Sequence, residues 1–239
     1  MKIISLVSTL ITFAFTYAVF RRYQRKGGAH LAHWAFGLFL YGLGTMSEFI
    51  LGLTFNGWVL KIWYLTGAML TAAWLGQGSL VLLIRKKNLA PGLSYALGLV
   101  SAVALILLLA APLTGAAGGF NINQPVSTQY REILSRNGLT IALTILLNIY
   151  GTFGLFGGAL YSAFLFWRKQ VLAGRMFGNI LIAAGALAPA MAGTLIRLGL
   201  VDALYISELI GSLLMFAGFI LATSGKDTRA TPAASSQPA

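Results

Sequence analysis

Four ionisable residues lie within apolar stretches of the chain, namely Glu48, Lys61, Arg197 and Glu208. A charged side chain at the centre of a bilayer costs at least about 2.5 kcal/mol, so such residues usually face a bundle interior or a cavity. The two carboxyl groups have two interpretations: proton-linked or ligand-binding groups, or structural partners in an ion pair or a protonated hydrogen bond. Lys61 and Arg197 are their candidate partners, although both stems are long enough to reach the outer headgroups. Glu208 with Arg197 is the most economical pair, because only a few residues join their helices.

Polar and aromatic side chains near these residues extend the candidate site. Tyr41 and Thr45 share the helical face of Glu48, so all three can contact one ligand. Trp63 fits the aromatic belt at the outer membrane surface. Alternatively, Trp63, Tyr64 and Trp74 line a pocket for a flat or apolar ligand.

Small residues and a proline indicate where helices approach closely or bend. Gly151, Gly154 and Ala186 lie at near-helical spacing with other small residues, which favours close packing of neighbouring helices. Pro189 removes a backbone hydrogen bond in the middle of its helix and is expected to kink it. Pro189 is therefore the hinge candidate, and a kink beside small residues can also open a cavity.

Three amide side chains lie deeper in the apolar stretches: Gln77, Asn148 and Asn179. Amides in helix bundles mostly hold neighbouring helices together by hydrogen bonds, and we expect that role here.

The sequence predicts no metal site and indicates no cofactor. His30 and His33 share one helical face, but the chain has no cysteine and no acidic residue near them to complete a set of three or four ligands. The absence of cysteine also excludes disulfides and thiol nucleophiles.

The composition places the chain in lipid. Of its 239 residues, 58% are hydrophobic and only 9% are charged, against about 25% charged residues in soluble proteins. The net charge of +12 is first a topology signal, because cations collect in the cytoplasmic loops of membrane proteins. The composition therefore predicts a lipid bilayer as the main partner and argues against nucleic-acid binding.

Seven continuous apolar runs of helical length predict an all-α membrane protein, a single seven-helix transmembrane domain over residues 1–225. The tail, residues 226–239, is predicted to be a disordered cytoplasmic end because it has few apolar residues. The predicted spans are about 3–20, 34–53, 59–84, 93–113, 139–167, 177–199 and 204–224.

The connectors alternate in charge along the chain. The clusters after the first, third, fifth and seventh spans hold most of the cations, whereas four of the five acidic residues lie at the opposite ends. The N-terminus is thus predicted outside and the C-terminus in the cytoplasm, in a bacterial-type inner (plasma) membrane. The cytoplasmic cations are Arg21, Arg22, Arg25, Lys26, Arg85, Lys86, Lys87, Arg168, Lys169, Arg175, Lys226 and Arg229.

Two longer-range patterns remain open. Spans 1–3 and 5–7 run in the same directions, and Phe20, Arg22 and Gln24 align with Phe166, Arg168 and Gln170, which is compatible with a parallel 3+1+3 repeat. The outer connector, 114–138, is long for a plain turn. It is either a lid over an outer pocket or an amphipathic connector with a short helix over 127–135.

Three functions fit these residues. The first is a sensor, receptor-like or accessory membrane protein that binds a small-molecule or lipid ligand in an outer-half polar pocket and acts through a membrane or cytoplasmic partner protein. The second is a small-molecule transporter that uses Glu48 and Glu208. The third is an intramembrane lipid-modifying enzyme, against which the sequence shows no nucleophile–base pair and no metal set.

Overall fold

The computed structural model describes residues 2–84, 86, 88–169, 173–198, 200 and 202–224. These residues form helices and connectors without any named strand, so the all-α prediction is confirmed. The predicted disordered tail, 226–239, lies outside the described residues. The helices are α1 (Lys2–Lys26), α2 (Ala29–Leu51), α3 (Gly57–Leu83), α4 (Leu89–Ala110), α5 (Val126–Ile133), α6 (Gly138–Arg168), α7 (Ala173–Arg197) and α8 (Ala203–Ser224).

Six helices in the described part of the chain are long and apolar enough to cross a membrane: α1, α2, α3, α4, α6 and α8. The chain is thus a multi-pass membrane protein. Helix α7, of 25 residues, coincides with the predicted sixth span. The count of seven spans, the orientation and the internal repeat remain predictions.

Glycines set the distances between several helices. A Cβ atom on Gly151 in α6 would lie 2.1 Å from the carbonyl carbon of Ala72 in α3, and one on Gly154 would lie 2.8 Å from the Cα of Gly76. Only hydrogen fits between these backbones, so the predicted close packing through Gly151 and Gly154 is confirmed. Helices α7 and α8 approach in the same way, since a Cβ on Gly211 would lie 2.7 Å from the carbonyl oxygen of Gly185.

Two helices change their winding near the middle. Helix α3 has a π-helical segment over Tyr64–Leu70, and α6 has one over Phe153–Gly157. The wider turn frees backbone carbonyls from their usual partners. In α3, the hydroxyl of Thr71 donates to the carbonyl of Thr66 at 2.7 Å. Such segments occur frequently at functional sites.

The long connector between α4 and α6 folds back onto the bundle. It contains a 3₁₀ turn over Gly115–Gly119 and then α5, which corresponds to the helix predicted over 127–135. Val126, Ile133 and Leu134 are each at most 2% exposed. The backbone N–H of Ser135 donates to the carbonyl of Pro112 at 3.1 Å, which ties the two ends of the connector together. The connector is therefore packed against the helices.

Candidate functional site

A cavity of about 500 Å³ lies between α2, α3, α6, α7 and α8, and α5 contributes to its wall. It is at the end of the bundle where α2 finishes and where α3 and α8 begin. This is the end opposite the cationic clusters. Its polar lining comes from Tyr41, Thr45, Ser127, Thr128, Arg131, Asn148, Thr152 and Glu208, and its apolar lining includes Leu75, Leu155, Pro189, Leu204 and Met215.

The carboxyl groups of Glu48 and Glu208 lie together beside this cavity. Glu208 lies on the cavity wall, and Glu48, only 2% exposed, lies within side-chain hydrogen-bonding range of it. The Oε2 atoms of both residues are buried and have no donor. Two carboxyl oxygens can hydrogen-bond only if one carries a proton. An arrangement of this kind can hold one proton between the two groups.

Trp63 fixes one side of this pair. Its indole Nε1 donates to Oε1 of Glu48 at 2.8 Å. Asn56 caps the N-terminus of α3 by accepting from the backbone N–H groups of Trp58 and Val59 at 2.9 and 3.2 Å. This cap starts α3 so that Trp63 lies at the depth of Glu48, which is one turn from the end of α2. The predicted span, about 34–53, continues two residues past Leu51, so Glu48 lies closer to the end of the helix than that span implies.

Tyr41 and Thr45, predicted to share the face of Glu48, both line the cavity. The hydroxyl of Tyr41 donates to the backbone carbonyl of Glu208 at 2.9 Å, which joins α2 to α8. Thr45 accepts from the hydroxyl of Thr9 at 3.0 Å, which joins α2 to α1. Tyr41 therefore holds α2, which carries Glu48, against α8, which carries Glu208. Thr45 holds α2 against α1.

An aromatic cluster anchors α5 over the cavity. The ring of Tyr130 lies 5.2 Å from that of Trp63 and 5.5 Å from that of Tyr64. The guanidinium of Arg136 lies over the Tyr130 ring at 4.8 Å and donates to the Tyr64 hydroxyl at 3.3 Å. Tyr64 itself is 1% exposed and does not line the cavity; its hydroxyl also bonds with Thr144 at 2.9 Å. Tyr64 thus supports α5, which contributes to the cavity wall.

Comparison of the chain with protein-family models, curated proteins and solved structures gives no match. The chemistry of the cavity is therefore argued from the residues that surround it.

Of the two candidate cations, Lys61 lies apart from the carboxyl pair, and Arg197 has a side chain outside the described ones. Lys61 is directed to α4, where its Nζ donates to the carbonyl of Leu109 at 2.9 Å and lies 5.0 Å from the ring centre of Trp58. The side chain of Arg197 is not among those described, so its pairing with Glu208 remains a prediction. In the described part of the chain, no Lys or Arg side chain acts on either carboxyl group.

The buried amides join helices at two of the three predicted places. Gln77 is fully buried and donates to the hydroxyl of Ser94 in α4 at 2.7 Å, while it accepts from the hydroxyl of Tyr150 in α6. Asn148 in α6 donates to the carbonyl of Ala68 in the π-helical segment of α3 at 2.7 Å. Asn179 differs, because its amide donates to the carbonyl of Arg175 within the same helix at 2.8 Å.

Pro189 lies inside α7 and on the cavity wall. A proline cannot donate to the carbonyl four residues earlier, here that of Gly185. That carbonyl faces Gly211 of α8. The carbonyl of Gly185 thus lies at a helix contact beside the cavity, whereas the kink at Pro189 and its role as a hinge remain predictions.

Several lining residues had not been assigned to the site from sequence. Trp63 had been noted only for a pocket or a belt, Asn148 only as a helix contact, and Arg131, Ser127 and Thr128 only as connector residues. One signal could have found Trp63: the helices before and after a connector of five residues are neighbours, and Trp63 is a long side chain within two turns of that connector.

Proposed function

We propose that this membrane protein binds a small molecule in the cavity beneath α5 and acts as a receptor-like or accessory membrane protein. The observation that carries the proposal is the cavity itself, with Glu208 on its wall and α5 as its cover. Its volume of about 500 Å³ falls within the range of about 300–1,000 Å³ that is usual for ligand pockets.

The charge distribution supports an outward-facing cavity. The connector after α1 begins with Arg25 and Lys26 in the last turn of that helix, and the cavity lies at the other end of the bundle. Cations collect on the cytoplasmic side, so the end with the cavity faces out. The cytoplasmic connectors are too short to hold a signalling domain, and a partner protein would carry the output.

The lining supports an amphipathic ligand. Leu75, Leu155 and Met215 provide apolar surface, whereas Tyr41 and Glu208 provide polar groups. Pockets with mostly apolar walls and a few placed polar groups orient a small molecule by its polar end.

A cavity-filling variant tests the proposal. The purified protein in lipid nanodiscs is screened against a panel of small amphipathic compounds by thermal shift. Ala72 lines the cavity, so Ala72→Phe should abolish stabilisation by any compound that binds there. Ala96→Phe adds the same bulk on the exposed face of α4 and should leave the shift unchanged. Equal shifts in both variants would contradict the proposal.

Proton-coupled transport is the second candidate, and the contact between Glu48 and Glu208 favours it. A carrier could couple movement of a ligand to the proton that this pair can hold. The test uses proteoliposomes with and without a proton gradient and a compound identified by the thermal shift. If uptake is unchanged in Glu48→Gln and Glu208→Gln, this mechanism is wrong.

A further inference from the structure

Two carboxyl oxygens at the polar end of the cavity have no hydrogen-bond donor among the described residues. The Oε2 atoms of Glu48 and Glu208 are buried without a partner, and Glu48 is 2% exposed. The nearest donors are already engaged: the indole of Trp63 bonds to the other oxygen of Glu48, and the hydroxyl of Tyr41 bonds to a backbone carbonyl. A buried carboxyl oxygen without a donor is costly, so the site favours a ligand that brings donors.

The surroundings also favour positive charge. Tyr41, Trp63 and Tyr130 line the cavity, and aromatic faces attract cations. The described residues supply no cation in contact with the carboxyl pair. A cationic ligand would therefore find the carboxyl pair without a described cation and the rings of Tyr41 and Trp63 beside it, whereas the ring of Tyr130 is already in contact with Arg136 at 4.8 Å.

Arg131 is the one described cation on the cavity wall. It is exposed, and its Nε donates to the hydroxyl of Tyr130 at 3.4 Å, with the guanidinium 5.8 Å from the centre of that ring. Exposed charge is screened by water and salt, whereas buried charge is not. The carboxyl pair therefore dominates the deeper part of the cavity.

Other titratable groups near the pair are neutral phenols or lie further away. Tyr41 of α2 and Tyr205 of α8 are within electrostatic range of both carboxyl groups. Helix α1 contributes hydroxyl groups on its buried face, including Ser5, Ser8, Thr9 and Thr12. From the remaining elements, Lys61 of α3 bonds to Leu109, Arg131 of α5 is on the cavity wall, and Arg136 after α5 lies over the rings of Tyr64 and Tyr130. Asp202 precedes α8, and the side chain of Arg197 of α7 is not described.

We propose that the cavity binds a small organic cation, a protonated primary amine, which takes the place of the proton between Glu48 and Glu208 and donates its N–H groups to the carboxyl group of Glu208 on the cavity wall and to that of Glu48 behind it. This inference rests on the proposed ligand site and names its ligand class. The ammonium enters with its own proton and the site releases one proton to water. The exchange leaves the charge of the occupied site equal to that of the empty one.

Three probes of similar shape test the inference: phenethylamine, its N,N,N-trimethyl analogue and 2-phenylethanol. They share an apolar ring, but only the amine has both a charge and N–H donors. Binding to the protein in nanodiscs is measured by calorimetry in two buffers of different ionisation enthalpy. We expect the amine to bind at least tenfold more tightly than either analogue, with release of about one proton and a tenfold gain in affinity per pH unit while the pair is protonated.

Variants separate the pair from the rest of the cavity. Glu208→Gln and, independently, Glu48→Gln should abolish proton release and weaken amine binding at least tenfold. The control is Glu132→Gln, which removes an exposed carboxyl group from the same connector and should change neither quantity. Each variant is checked for folding by its thermal unfolding, so a loss of binding in a folded variant supports the inference.

The outcomes distinguish the two proposals. If all three probes bind equally, release no proton and are blocked by Ala72→Phe, the cavity is a ligand site but the assignment of a cation is wrong. If the amine binds without proton release, or if Glu48→Gln and Glu208→Gln both leave its binding unchanged, the proposed exchange of a proton for the amine is wrong. If Ala72→Phe leaves the binding of every probe unchanged, the proposed function itself fails.

Discussion

The indole Nε1 of Trp63 donates a hydrogen bond to Oε1 of Glu48 at 2.8 Å, across the connector between α2 and α3. Both side chains are almost fully buried, with exposures of 5% and 2%. The bond satisfies one oxygen of Glu48 and leaves the other buried without a partner, in a carboxyl group that lies beside that of Glu208. Trp63 therefore positions the carboxyl group that completes the pair.

Removal of this donor should destabilise the bundle. In Trp63→Phe the Oε1 atom of Glu48 stays buried without a partner, which costs about 1–3 kcal/mol. We expect a lower midpoint in thermal unfolding of the detergent-solubilised protein. Trp58→Phe is the matched control, because Trp58 is 62% exposed. Equal midpoints for the two variants would contradict the role of the indole.

Contact between α3 and α6 should depend on Gly151. In Gly151→Ala the new methyl group would lie 2.1 Å from the backbone of α3, so the helices must separate and lose packing. We expect a loss of stability of at least about 1–3 kcal/mol. In Gly98→Ala, within α4, a Cβ meets nothing within 4 Å, and alanine should stabilise that helix by about 0.5–1 kcal/mol. If both variants lose stability, or both gain it, the close contact between α3 and α6 at Gly151 is contradicted.

The buried amide of Gln77 should contribute to helix association. Tyr150→Phe removes the hydroxyl that donates to Gln77 while it keeps the ring. We expect a loss of about 0.6 kcal/mol, up to about 1.7, as is typical of such bonds in membranes. Tyr161→Phe, at a position 53% exposed, is the control and should be neutral. The two variants are compared by unfolding in mixed micelles.

The cover of the cavity should loosen when its aromatic anchor is removed. Tyr130→Ala deletes ring contacts to Trp63 and Tyr64 and the surface beneath Arg136. We expect faster amide hydrogen exchange in residues 126–134 and little change in α4, because local opening costs less when fewer side chains hold α5. Tyr95→Ala, at an 81% exposed position, should leave exchange in that segment unchanged.

The predicted orientation can be tested directly, because the chain has no cysteine. Single cysteines at Asn123 and Ser235 are labelled with a membrane-impermeant maleimide in intact spheroplasts. The charge distribution predicts labelling at position 123 and protection at position 235 until the membrane is lysed. Labelling of both positions in intact spheroplasts would contradict an odd number of spans between positions 123 and 235.

Part of the architecture follows from local properties of the chain. Continuous apolar runs near helical length predict the spanning helices because a backbone in lipid must satisfy its own hydrogen bonds. Gln77 and Gly151 were predictable as helix contacts from residue type alone. A buried amide needs a partner, and a glycine in a membrane helix allows close approach.

The site depends on the rotation and depth of each helix, which no local pattern specifies. Lys61 shows the difference, since its position suggested the carboxyl pair but the rotation of α3 directs it to Leu109. The π-helical segments shift the faces of α3 and α6. From the sequence alone the connector could equally be a plain linker. The structure shows that Tyr130 of this connector packs on Trp63. Residue types thus identified Glu48 and Glu208 as unusual in lipid, whereas tertiary packing brought the two together beside a cavity, because proximity between separate helices arises only when they pack.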